Sequence, residues 1–252
     1  MTGTPREPRS PRATRLPDLP AGGFSARLDR TRAALVDDSG ADVSCGECTA
    51  CCTTSHFVHV RPDETGTLAR IPRELLFAAP GLPPGNVLLG YDKHGRCPML
   101  VADGCSIYEH RPLTCRNYDC RVFAAAGIAA DQQAITLRAR RWKFDYPARD
   151  DRDRHASVRA AAAFLRTHAG EFPAAAALRD PVHVAILAVK VYEVFAGGSP
   201  GEPGAAAGES GAASDVPGAA ADASGAAADA RLVKAVLAAG ERFEARRDAV
   251  SA

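Results

Sequence analysis

The sequence predicts an α+β chain: a small irregular cysteine module with a short hairpin, stabilised by metal, plus flanking α-helices and disordered segments. Three observations lead there. All eight cysteines of the 252 residues fall between positions 45 and 120, and four of them stand in CGECTACC at 45–52. Beyond residue 150 apolar residues recur at helical spacing. Two tracts, one dominated by Pro and Arg and one by Gly, Ala, Ser and Pro, lack any apolar repeat.

These features divide the chain into a disordered basic arm at 1–23, a cysteine-cluster metal-binding domain at 24–150 and a helical extension at 151–197. A flexible Gly/Ala-rich linker at 198–228 and a C-terminal helix at 229–252 complete it. Taking the elements in order, Ser25 is placed to cap a helix carrying Phe24, Leu28, Thr31 and Leu35, which Gly40 ends. HFVHV at 56–60 alternates like a strand, and Pro62-Asp63 turns it into a helix that stops at Pro72. A second helical turn, PRELLFAA, starts there and stops before Pro80. In NVLLGYDKHGRCPMLVADGC two strands are expected to meet at Lys93-His94-Gly95, with Asp103-Gly104 as the next turn, so that Cys97 and Cys105 lie near the open end. Val158, Ala161, Ala162 and Leu165 form one helical stripe, with Arg154, Arg159 and Arg166 elsewhere on the helix. Asp180-Pro181 opens a nearly all-apolar, buried helix that Gly197 closes, and Asp229 is placed to cap a last helix carrying Leu232, Val236 and Phe243.

Composition excludes several classes. Net charge is only +1, so the chain as a whole has no electrostatic signature of nucleic-acid binding. No apolar run approaches the roughly 18 residues that suggest a membrane span. The N-terminus is rich in Arg and Pro without the apolar centre of a secretory signal, so the cytoplasm is expected. Disulfides are uncommon there, and grouped cysteines more often hold metal or do redox work.

In Cys45-x-x-Cys48 a tight turn can point both sulfurs at one ion while backbone N–H groups face the sulfurs. Clustered thiolates repel one another without a cation. A structural zinc can supply about 10–16 kcal/mol of apparent binding free energy, enough to hold a loop-rich segment with a thin, alanine-rich core. Cys51 and Cys52 are adjacent, so their side chains diverge. They suggest two metal centres, a polynuclear cluster, or one ligand beside a free thiol. Cys45, Cys48 and Cys51 followed by a remote Cys97-Pro98 have the form of a bacterial ferredoxin run.

CGECTACC, then GRCPML at 95–100 and CSIYEHRPLTCRNYDC at 105–120 resemble the C-x-x-C-x-x-C-C family, the YkgJ-type cysteine cluster or zinc- or iron-chelating domain, over about residues 43–125. The resemblance implies that Cys45, Cys48, Cys51, Cys52, Cys97, Cys105, Cys115 and Cys120 are metal ligands, that the cofactor is an Fe–S cluster or Zn, and that an Fe–S oxidoreductase-like activity is conceivable. Flagellin lysine N-methylases share the cysteine motif, but no Gly-rich strand-turn-helix signature for S-adenosylmethionine is visible here.

Other residues carry two readings each. Arg111 can aim at cluster sulfurs or pair with an acid such as Glu109, and Tyr108 reads as a core ring more than a redox relay. His56, His59, His94 and His110 can ligate metal but more often support or cover such a site. RARRWKF at 138–144 reads as a solvated basic face, because the following DDRDRH cancels its charge. Three functional classes follow: a redox or cluster-dependent Fe–S protein, a structural-zinc binding or adaptor module, and a metal-handling protein. A protein partner is expected on the loosely tethered C-terminal helix.

Overall fold

The computed structural model describes residues 17–37, 39–41, 43, 45–102, 104–197 and 219–251. Residues 1–16 of the arm expected at 1–23 and residues 198–218 of the linker expected at 198–228 lie outside the described residues. Fifteen regular elements follow in chain order: β1 (Leu19–Gly23), α1 (Phe24–Asp37), β2 (Val58–Val60), α2 (Thr65–Leu68), β3 (Leu76–Ala78), β4 (Val87–Leu89), β5 (Leu100–Val101), β6 (Gly104–Cys105), α3 (Leu113–Asn117), α4 (Arg121–Ala126), α5 (Gln133–Ala139), β7 (Trp142–Asp145), α6 (Asp151–Thr167), α7 (Pro181–Val191) and α8 (Ala219–Ser251). Helices and small sheets occur together, as the α+β reading requires.

Two apolar cores organise these elements. In the larger, α1, α4, α6, α7 and α8 surround Phe24, Phe123, Leu165, Val189 and Val236, all at most 1% exposed. The predicted stripe on α6 sits at its centre, with Val158, Ala161, Ala162 and Leu165 each 0% exposed. Asp180 caps α7, its Oδ1 accepting from the Val182 amide at 2.8 Å, with Pro181 at the first helical position. Arg32 of α1 donates to the carbonyls of Val189 and Lys190 at the other end of α7, satisfying acceptors that the helix leaves open. The smaller core consists of Val60, Ile71, Leu89, Met99 and Ile107. It lies beneath the antiparallel sheet β2-β4-β3 and the two-residue pair β5-β6.

Several expectations change. Leu19–Gly23 belongs to no arm: it pairs in parallel with β7, matching Leu19 to Trp142 and Gly23 to Asp145. Its amides need partners once Ala21 is buried, and β7 provides them. PRELLFAA is a 3-10 turn at Arg73–Leu75 followed by strand β3, because β4 offers an open edge to Leu76–Ala78. The segment before it closes into only one short helix, α2. Around Lys93-His94-Gly95 a tight turn does form, with the Asp92 amide donating to the Arg96 carbonyl at 2.8 Å. The flanking strands do not pair with each other, however: β4 is already taken on both edges, and the hairpin is β5-β6, one turn later.

At the C-terminus, α8 begins ten residues before Asp229 and packs on α1 and α7. Val233, Val236 and Phe243 are buried there, and Lys190 Nζ meets Glu244 at 2.6 Å. The helix expected to be loosely tethered is therefore packed on its own chain through these residues. Among the described residues no helix is long and apolar enough to cross a membrane.

Truncating the central side chain of α6 tests this architecture. Leu165→Ala should cost about 2–5 kcal/mol, read as a lower urea midpoint with an unchanged slope.

Candidate metal centre

The cysteines come together because several short, tightly turned segments converge between the two cores. Cys45 and Cys48 flank a turn closed by the Cys48 amide on the Cys45 carbonyl at 2.9 Å, and Gly46 takes a left-handed φ of 54° that a side chain would strain. Cys51–Thr53 forms a 3-10 turn. The Cys52 carbonyl then accepts from the Cys97 amide at 2.7 Å, which draws a segment 45 residues away to the same place. A further turn, Leu100 amide to Cys97 carbonyl at 3.0 Å, leads into β5, whose Leu100 pairs with Cys105 of β6.

Cys115 is carried by α3. That short helix is fastened to the small sheet by Thr114 Oγ1 on the His59 carbonyl at 2.7 Å and to the start of α2 by the Leu113 amide on Glu64 Oε1 at 2.5 Å. Cys120 stands between Asp119 and Arg121, whose side chains form a bidentate ion pair with only 3% and 6% of them exposed. Arg121 also donates to the Ala41 carbonyl, and the Ala41 amide to the Arg116 carbonyl, so the approach to Cys45 is tied to the segment ending at Cys120.

All eight thiols are free and line one cavity of about 330 Å³. Its walls are largely apolar, with Val43, Leu89, Met99, Ile107 and Ile135 among them. Among the described residues, no three Cys, His, Asp or Glu side chains converge at single-ion spacing. The sulfurs surround a volume.

This environment disfavours free thiolates. Burial, reinforced by the neighbouring sulfurs, pushes Cys52 and Cys115 up to about 12. Burial likewise raises Cys120 to about 11, and raises Cys45, Cys51 and Cys97. Cys51 is an exposed residue by area, yet it lines the cavity and burial is the largest cause of the rise of its thiol.

Opposing charges and donors stand at the wall. Trp142 Nε1 donates to Cys120 Sγ at 3.2 Å and draws that thiol back down. The guanidinium groups of Arg111 and Arg138 favour the Cys45 thiolate, Arg111 also acting on Cys115 and Arg138 on Cys120. Arg111 stacks on Tyr108 at 4.0 Å, and Arg138 on Trp142 at 5.0 Å. Two wall groups, Arg111 Nε and Tyr118 Oη, are buried without a hydrogen-bond partner among the described residues.

The remaining sequence candidates separate here. His56 reaches the cavity wall, held by Thr54 Oγ1 at 3.1 Å and Asp131 at 3.6 Å. His59 instead bonds Asn86 at 2.8 Å, and His94 and His110 are exposed. Tyr108 does more than fill a core: its Oη accepts from the Cys45 amide at 3.3 Å. RARRWKF is a solvated face only in part: Arg140 and Lys143 are exposed, whereas Arg138 lines the cavity, Trp142 is 8% exposed and the two stack on each other. The available signal was Trp142 itself, the one tryptophan of the chain, four residues after Arg138.

Fold and site together define a cysteine-lined chelating module seated on a helical bundle. Residues 44–139 match the family model CxxCxxCC, described as "Putative zinc- or iron-chelating domain". The match contains every cysteine and ends just after Arg138. No curated protein and no solved structure matches the chain.

Two outcomes follow for the metal-free protein. The raised thiols hold their protons more tightly when folded than the ordinary cysteine at about 8.5, so their contribution is complete below that pH and lost as pH rises towards 11 and 12. Melting temperature should fall steadily over that range, and titration with metal, which binds thiolate, should suppress the fall. Trp142→Phe keeps an aromatic ring and removes the donor to Cys120, at a cost of about 0.5–1.5 kcal/mol, and alkylation of Cys120 should shift to higher pH.

Proposed function

We propose that the protein holds iron and sulfide in this cavity, as an Fe–S protein with an electron-transfer or cluster-dependent role. The observation that carries the reading is the arrangement of eight thiols around a cavity of about 330 Å³ whose wall also contains the unpaired donors Arg111 Nε and Tyr118 Oη. A single zinc ion wants its sulfurs converging at about 2.3 Å from one point, whereas a cluster takes cysteines spread around a larger body that itself accepts hydrogen bonds at sulfur.

The residues present fit such a group. Cys45, Cys48, Cys51, Cys52, Cys97, Cys105, Cys115 and Cys120 are soft donors suited to it. When bound, it supplies one-electron chemistry. The chain supplies the surroundings: the Trp142 N–H stabilises negative sulfur, Arg111 and Arg138 offset the thiolate charge, and the apolar walls limit water. A reducing cytoplasm is the compartment that keeps eight such thiols available.

A second reading, structural zinc in a binding or metal-handling module, is favoured by one feature. The Cys45–Cys48 turn, closed at 2.9 Å, has the local form of a zinc-binding loop. Metal content decides between the two. Protein purified without oxygen should contain iron and acid-labile sulfide in near-equal amounts and absorb broadly in the visible. Zinc without sulfide would establish the second reading, and oxidised thiols with neither metal would overturn both.

A further inference from the structure

We infer that the eight cysteines form two separate four-thiolate centres, Cys45, Cys48, Cys51 and Cys120 in one and Cys52, Cys97, Cys105 and Cys115 in the other. The chain crosses between them at the Cys51–Cys52 peptide bond. The inference rests on the reading of the cavity as a metal site and assigns the ligands within it.

Local geometry requires the crossing. Cys51 and Cys52 open a 3-10 turn, in which successive side chains diverge by about 120°, a third of a revolution. Both residues line the cavity.

The two cores then sort the others. Cys120 is part of the larger core and Cys45 packs against it, whereas Cys97 and Cys105 pack against the smaller one. Hydrogen bonds follow the same division. Cys48 turns back on Cys45, the Cys45 carbonyl accepts from Arg138 at 3.4 Å, and Arg138 stacks on the indole that donates to Cys120. On the other side the Cys52 carbonyl holds Cys97, the Cys97 turn leads to the Leu100–Cys105 pair, and α3 fixes Cys115 to the sheet that covers the smaller core.

Four cysteines per site is the donor set of an iron–sulfur cluster, whose ligands surround a body and need not converge on one point. One centre then belongs to the helical bundle, and the other staples a core of only five buried residues.

The test uses the full chain, prepared without oxygen. Metal and sulfide per chain are measured for the wild type and three double variants. Cys45→Ser with Cys120→Ser, and Cys97→Ser with Cys105→Ser, should each show a two-fold drop. Cys45→Ser with Cys97→Ser should lose nearly all metal. A within-group pair that loses everything while keeping its circular dichroism, or a cross-group pair that keeps half, would overturn the assignment.

Should the variants fail to fold, the wild type still decides. Stepwise removal of metal by a chelator, with alkylation and peptide mapping, should expose four cysteines of one group before those of the other. Alkylation of all eight together, or of a mixture drawn from both groups, would overturn it. A wild-type chain without metal would overturn the underlying metal reading and this inference with it, whereas loaded wild type that fails the division overturns the two-centre assignment alone.

Discussion

Eight thiols in a mostly apolar cavity are tolerable in two conditions: all protonated, or ionised and neutralised by metal. The surroundings of the cysteines answer to that constraint. Burial raises the thiols, while Arg111, Arg138 and the Trp142 N–H lower the cost of charge at particular sulfurs. These groups are themselves held by stacking on aromatic rings, Arg111 on Tyr108 and Arg138 on Trp142, so they meet the sulfurs without the freedom of long surface side chains.

The architecture distributes the mechanical load unevenly. The larger core has five helices and deep burial, and ion pairs such as Lys190–Glu244 and Arg32–Glu193 fasten its helices to one another. Its wall of the cavity is rigid for reasons independent of the thiols. The smaller core has five buried residues, three short strands and a two-residue hairpin, too little apolar burial to order so many loops unaided. Its cysteines therefore matter to folding as well as to chemistry. The Asp119–Arg121 pair lies where the two parts meet, and its bond to the Ala41 carbonyl keeps the first and last cysteine segments together.

Much of this was legible in the sequence. The α6 stripe, the Asp180 cap and the C-x-x-C turn are encoded within a few residues, so periodicity and spacing reveal them. The wrong readings share a cause. Leu19–Gly23, Leu76–Ala78 and the tethering of α8 were misread because each is stabilised by a partner distant in sequence, β7, β4 and the α1/α7 surface respectively. RARRWKF was half read: Arg140 and Lys143 are solvated, but Arg138 is stacked on Trp142 at the cavity wall.

By itself the sequence determined the cysteine module, its match to a chelating-domain family model and the helices that carry their own caps and stripes, because those depend on local spacing. Only the tertiary structure decided which core each cysteine backs onto, that Arg138, Trp142 and Tyr108 belong to the site, and that α8 closes on its own chain. Those outcomes depend on contacts between segments tens of residues apart, and neither composition nor periodicity records which segments meet.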